Sequence, residues 1–141
     1  MSGYFDYAAT TPVCPAAVEK ANVLMTDIYG NPSSLHRMGL LAEKELTQAR
    51  QAVADTLGCR ADEIVFTSGG TEANHLALFG ALSARRERKV LVSAAEHPSV
   101  LETAKALGEK GFEVSFFSPR LSPEAVAGLV DDDTALLSVM A

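Results

Sequence analysis

The sequence predicts an α/β fold: a helical amino-terminal segment followed by βαβ units on a parallel sheet. Three observations carry this. After residue 60, short apolar runs alternate strictly with amphipathic segments of helical spacing. Before residue 60, the periodicity is helical only. Between the two, Thr67-Ser68-Gly69-Gly70-Thr71-Glu72-Ala73-Asn74 places a glycine hinge between an apolar run and a helix.

The first fifteen residues read as extended and turn-rich, punctuated by Pro12 and Pro15. A helix is predicted over 15–28, with Val18, Ala21, Val23, Leu24 and Ile28 on its apolar side. Gly30-Asn31-Pro32-Ser33-Ser34 is a loop by composition. A long helix follows over 36–57, carrying Leu46, Ala49, Val53 and Leu57 and stopped by Gly58. The run 63–67 reads as a short, largely buried strand leading into a helix over 71–85. A strand at 90–94 leads to a helix over 98–108, and a strand at 113–117 to a helix over 123–130. Ser122 is the expected N-cap of that last helix, with Pro123 in its first turn, and a final strand is expected at 135–140.

Composition narrows the function. At 141 residues, 48% hydrophobic and 21% charged, the chain reads as a soluble globular protein. A formal charge of -6 argues against nucleic-acid backbones and anionic membranes as main partners. The one dense basic run, Arg85-Arg86-Glu87-Arg88-Lys89, ends a predicted helix, where cations complement the dipole. Residues 1–6 lack the basic and apolar regions of a secretory signal, and no apolar run approaches membrane-spanning length. Cys14 and Cys59 are far apart without CxxC spacing, which suits a reducing compartment; a cytoplasmic location is expected. No metal-ligand spacing is present.

The Gly-Gly turn is the feature with chemistry in it. A helix that starts there presents unpaired N–H groups and the positive end of its dipole, a site for a phosphate or other anion. Ser68 and Thr71 can add hydroxyl donors. Glu96-His97-Pro98 falls at the carboxyl end of the next strand. Pro98 pushes His97 out of helical geometry and frees its ring to stack or to shuttle protons on the same rim. Taken alone, His97 reads only as a helix cap or a solvated turn residue; its place on the same rim as the anion cradle is what raises the functional reading beside it. The Asn31–His36 loop reads from spacing as a capping loop, with Ser33 or Ser34 as the cap. His75 is expected on a solvated helix face, and both cysteines are expected to be structural.

Four segments in order carry a resemblance: Tyr4-Phe5-Asp6-Tyr7-Ala8-Ala9-Thr10-Thr11-Pro12, Tyr29-Gly30-Asn31-Pro32-Ser33-Ser34-Leu35-His36, Phe66-Thr67-Ser68-Gly69-Gly70-Thr71-Glu72-Ala73-Asn74 and Glu96-His97-Pro98-Ser99-Val100. The chain closely resembles the amino-terminal part of the cysteine desulfurases, in the class V aminotransferase group of pyridoxal-phosphate enzymes. The resemblance implies the type I fold of those enzymes, with 1–60 contributing to the small domain and 61–141 forming part of the large cofactor-binding domain. It implies that Gly70 and Thr71 bind the phosphate of pyridoxal 5'-phosphate and that His97 stacks on its ring and acts in catalysis. Asn31 and His36 become substrate-side candidates.

For the complete enzyme the resemblance implies desulfuration of L-cysteine to alanine. The sulfur leaves as an enzyme persulfide, bound for a sulfur-acceptor protein or iron–sulfur cluster assembly. A homodimer is implied as well. In the family, the Schiff-base Lys, the Asp at the ring nitrogen and the persulfide Cys come later than the matched segment. By itself the 141-residue chain is therefore expected to be inactive. Its 63–67 strand is expected to lack a neighbour, and the chain alone to be aggregation-prone, or compact only with a partner. A selenocysteine lyase or another class V enzyme is the nearest alternative. A non-catalytic phosphate-binding module or an interaction fragment is the other, although neither GxGxxG nor a Walker-type Gly-Lys-Ser/Thr is present.

Overall fold

Two helices dominate the first of two units, Met1–Val65; the second is Phe66–Ala141. A computed structural model describes residues 3–140. In the first unit, α1 (Pro15–Thr26) opens on a proline whose missing N–H has no helical partner to lose. The second helix, α2 (Arg37–Leu57), ends at Gly58 in the left-handed conformation (φ 68°), as the sequence predicts. A single 3-10 turn, Ala61–Glu63, follows. Lys20 and Glu45 pair at 2.5 Å, tying α1 to α2. Burial is slight: α1 buries no residue, and α2 buries only Gly39 and Ala54. The loop before α2 lies backbone against backbone on that helix. A Cβ on Gly39 would run into the Ser34 and Asn31 carbonyl oxygens, and one on Gly30 into the Met38 backbone.

The second unit holds a three-stranded parallel sheet of β1 (Lys89–Ser93), β2 (Glu113–Phe117) and β3 (Thr134–Ser138), in the order β2-β1-β3. Its helices are α3 (Gly70–Ser83), α4 (Pro98–Glu109) and α5 (Pro123–Ala127). As the central strand, β1 is buried at Val90, Leu91, Val92 and Ser93, which explains a continuous apolar run rather than an alternating one. Val90 stands opposite Val114 on one side and Leu136 on the other. The core packs Leu78 and Leu82 of α3 and Val100, Ala104 and Leu107 of α4 onto Val90 and Val92. Burial of a side chain such as Leu107, fully removed from solvent, stabilises by about 1.5–3 kcal/mol. Lys89 donates to the Asp131 carboxylate (2.6 Å) and the Leu129 carbonyl (2.9 Å), fixing the start of β1 to the turn before β3.

Three expectations need correction. Residues 63–67 form no strand, so the second unit runs αβαβαβ rather than βαβαβαβ. A strand exists through its ladder, and the sheet β2-β1-β3 does not take up this run; the Ile64 carbonyl accepts from Arg50. Nor is the run largely buried: Val65 is 70% and Phe66 46% exposed. Helix α5 stops at Ala127, short of 130, because Gly128 follows its single turn. Strand β3 spans 134–138 rather than 135–140: it pairs with Lys89–Val92 of β1, with a bulge between Lys89 and Val90, and ends at Ser138 opposite Val92. The remaining helices and strands fall within about two residues of expectation.

Candidate functional site

Strand β1 is flanked by β2 on one side and β3 on the other, so the chain order reverses across it. In parallel α/β sheets the crevice at the carboxyl ends of such strands is where ligands bind. There the chain runs Ser93-Ala94-Ala95-Glu96-His97 into α4. The Ala94 N–H bonds the Phe117 carbonyl (2.9 Å), the Glu96 N–H bonds the Ser93 carbonyl (3.1 Å), and the Ser138 hydroxyl donates to the Glu96 carboxylate (2.7 Å).

Pro98 opens α4 and holds His97 in extended geometry (φ -58°, ψ 144°). The His97 ring turns back as the cap: its Nδ1 accepts the Ser99 N–H at 3.1 Å and lies 2.8 Å from the Ser99 hydroxyl. Asn74, one turn into α3, donates its amide N–H to the same hydroxyl at 2.8 Å. Side chains of α3 and α4 are therefore joined beside the ring.

At the start of α3, Gly69 is extended (φ 166°, ψ 178°) and Gly70 is the first helical residue. A Cβ at either glycine would meet no atom within 4 Å, so nothing in the chain itself requires a glycine there. The hydroxyl of Ser68 is not available as a ligand donor, contrary to expectation. Glu72 folds back and accepts both the Ser68 N–H (2.6 Å) and its hydroxyl (2.7 Å), which together hold the Glu72 carboxyl below the ordinary glutamate range.

Gly70, Thr71, Asn74, His97 and Ser99 line one cleft of about 390 Å³. A neighbouring groove of about 430 Å³ runs along Thr71, His75, His97, Glu102 and Thr103. The structure thus brings Gly70, Thr71 and His97 together. Asn74 and Ser99 escaped the sequence reading. The signal for Asn74 was its place four residues after Gly70, on the same helix face. His75 is exposed, but its ring meets Phe79 at 4.4 Å and its Nδ1 lies 3.5 Å from the Thr103 hydroxyl.

Asn31 and His36 belong to the first unit. Asn31 Oδ1 accepts the Ser33 N–H (2.9 Å), and its carbonyl accepts the Ser34 N–H (2.9 Å). The cap of α2 is His36, whose Nδ1 accepts the Gly39 N–H at 3.3 Å, rather than Ser33 or Ser34. The helix begins at Arg37, which leaves both serines too far upstream.

An N-terminus of a fourteen-residue helix, two glycines facing open space and a threonine hydroxyl suit a phosphate; an imidazole beside them suits a flat heteroaromatic ring. The residues present fit pyridoxal phosphate in these respects. None of the five lysines lines either cleft. Lys20 pairs with Glu45, Lys89 with Asp131 and Lys105 with Glu102, while Lys110 lies over the Phe79 ring. Among the described residues, no group of three or more His, Cys, Asp or Glu could hold a metal, and no helix is long and apolar enough to cross a membrane. Cys14 and Cys59 are free thiols.

Residues 3–141 match the aminotransferase class-V family. The chain belongs to that family. This class-V chain is 43% identical over 143 residues to the "NifS/IcsS protein homolog" of Lactobacillus delbrueckii subsp. bulgaricus, covering 97% of itself and 37% of that protein. It is 42% identical over 146 residues to "Cysteine desulfurase IscS" of Shewanella amazonensis, covering 97% of itself and 36% of the relative. The chain therefore spans little more than a third of the length of these curated relatives. Among solved structures, a "NIFS-LIKE PROTEIN" superposes with a TM-score of 0.90 at 39% identity, covering 100% of this chain and 40% of the other. "SspA in complex with cysteine" superposes with a TM-score of 0.84 at 36% identity, covering 95% and 40%. The fold is thus a part of the type I fold of NifS-like enzymes. Class-V aminotransferases and cysteine desulfurases depend, as families, on pyridoxal phosphate.

Proposed function

We propose that the chain is the amino-terminal portion of a cysteine desulfurase, which when complete removes sulfur from L-cysteine, leaving alanine and an enzyme persulfide. The observation that carries this reading is the convergence of Gly70, Thr71 and His97 on one cleft at the carboxyl end of the central strand. One relative reported above is a cysteine desulfurase, and one similar structure is in complex with cysteine, which favours that substrate over selenocysteine.

In this reading the N–H groups of Gly70 and Thr71, with the Thr71 hydroxyl, bind the cofactor phosphate, and His97 lies against the ring. When bound, pyridoxal phosphate supplies an electron sink for bonds broken at the substrate's α carbon. His97 holds and moves a proton beside that carbon. Asn31 and His36 serve the substrate side. In this reading the lysine that holds the cofactor and the persulfide cysteine come later in the complete enzyme than the segment matched here, since none of the lysines present lines the cleft. Residues 1–60 belong to the small domain and 61–141 to the large one. The complete enzyme acts as a homodimer in the cytoplasm and hands its sulfur to an acceptor protein.

The test is turnover by the natural-length protein. Incubated with L-cysteine and a thiol reductant, it should release alanine and sulfide in equal amounts, and the Gly70→Val variant should lose cofactor. A protein that binds pyridoxal phosphate yet forms no alanine from cysteine would overturn the proposed reaction.

A further inference from the structure

Capping alone does not account for the surroundings of His97. To cap α4, the ring needs only the Ser99 N–H. Yet the Ser99 side chain, in a residue only 9% exposed, also addresses Nδ1, and Asn74 of a different helix spends its amide on Ser99. Donor arithmetic orders the protons along this line. The Asn74 amide nitrogen can only donate, so it occupies a lone pair of the Ser99 oxygen. The Ser99 hydroxyl proton then goes to His97 Nδ1. The Ser99 backbone N–H, also an obligate donor, meets the same nitrogen. Thr103 holds the arrangement from the next turn, its hydroxyl donating to the Ser99 carbonyl at 2.7 Å.

We infer that Asn74 and Ser99 are positioning residues for His97: together with the Ser99 backbone N–H they hold Nδ1 as an acceptor, which leaves the ring proton on Nε2, and they lock the ring plane beside the Gly70-Thr71 turn. The catalytic importance of this relay rests on the function proposed above; its existence does not. The residue at position 74 sets the direction of the relay. An aspartate there would accept the Ser99 hydroxyl proton and turn a lone pair of the Ser99 oxygen toward Nδ1, drawing part of the ring-proton population to that nitrogen against the Ser99 backbone N–H.

The experiment reads the ring directly. Long-range 1H–15N correlation spectra are recorded on the natural-length protein, as wild type and as Asn74→Asp, Ser99→Ala and Ser99→Thr. In the wild type, Nδ1 should show the shift of an unprotonated acceptor and Nε2 that of a protonated nitrogen. Asn74→Asp should move Nδ1 part-way toward the protonated position, and Ser99→Ala, which keeps the backbone N–H on Nδ1, should move it a smaller distance the same way. Ser99→Thr, which keeps the hydroxyl, should restore the wild-type pattern. A wild-type ring protonated on Nδ1, or nitrogen shifts unmoved in both Asn74→Asp and Ser99→Ala, overturns the relay. Turnover with L-cysteine should fall by roughly 10–100-fold in Asn74→Asp, the scale of loss when a group orienting a functional histidine is removed, with KM little changed. If the wild type fails to bind pyridoxal phosphate while the ring signals respond as expected, the relay stands and the proposed function fails.

Discussion

The Ser138 hydroxyl donates to the Glu96 carboxylate at 2.7 Å, joining the carboxyl end of β3 to the turn that carries His97. At the opposite end of the same pair of strands, Lys89 binds Asp131. Side chains therefore pin β1 to β3 at both ends, beyond the ladder between them. The two pins differ in chemistry and so in what disturbs them.

Ser138→Ala removes the upper pin and leaves a half-buried carboxylate short of one donor. The expected loss is about 1–3 kcal/mol, as for hydrogen bonds to charged groups. Amide exchange across 94–97 should quicken while exchange in Val90–Val92 stays slow. Unchanged exchange across 94–97 would show that Ser138 does not hold the turn.

The lower pin responds to acid. Lys89, then Thr134, holds the Asp131 carboxyl below the ordinary aspartate range. Its folded value lies below its unfolded value, so the contribution is complete above the unfolded value of about 3.9 and is lost as pH falls through the folded one. Asp131→Asn should be less stable than wild type at pH 7, with the gap closing below about pH 4. Asp131 is partly exposed, so added salt should also narrow the gap. Urea midpoints measured against pH check both.

Packing should divide sharply between leucines. Leu107 is fully buried against β1, and Leu107→Ala should cost about 2–5 kcal/mol. Leu40, on α2, is 66% exposed, and Leu40→Ala should fall within about 0.5 kcal/mol of wild type. Denaturant unfolding of the two variants side by side makes the comparison.

The glycines should divide as well. Gly39→Ala forces a methyl into the Ser34 and Asn31 carbonyls and should cost about 1–3 kcal/mol or more. Gly70→Ala meets open space, so it should melt within about 2 °C of wild type, the shift expected of a near-neutral substitution. Its effect should appear as weaker binding of pyridoxal phosphate. A strongly destabilised Gly70→Ala would mean that the glycine serves the fold rather than a ligand.

Local signals made most elements legible. Gly58 ended α2, Ser122-Pro123 opened α5, and the apolar run 90–93 announced a strand buried on both sides. The run Ile64-Val65-Phe66 carries the same apolar signal but becomes no strand, since a ladder depends on a partner elsewhere in the chain and leaves no local mark. The site divided in the same way. Gly70 and His97 were visible because Gly-Gly and His-Pro restrict the backbone. Asn74 and Ser99 were not, because what matters about them is a hydrogen bond across 25 residues between two helices. The cap of α2 was misread for a smaller reason: an imidazole nitrogen can take the place usually held by a serine hydroxyl.

Both neighbours of β1 follow it in the chain, which has a consequence during synthesis. A ribosome that has released β1 has yet to make β2 and β3, and at roughly 5–20 residues per second the stretch from Lys89 to Ser138 takes several seconds. Through that interval the most buried strand of the unit has at least one open hydrogen-bonding edge. Helices α3 and α4 can form and dock meanwhile, but they cover a face and cannot close an edge. The nascent chain therefore depends, for those seconds, on whatever keeps other strands away from Val90–Val92.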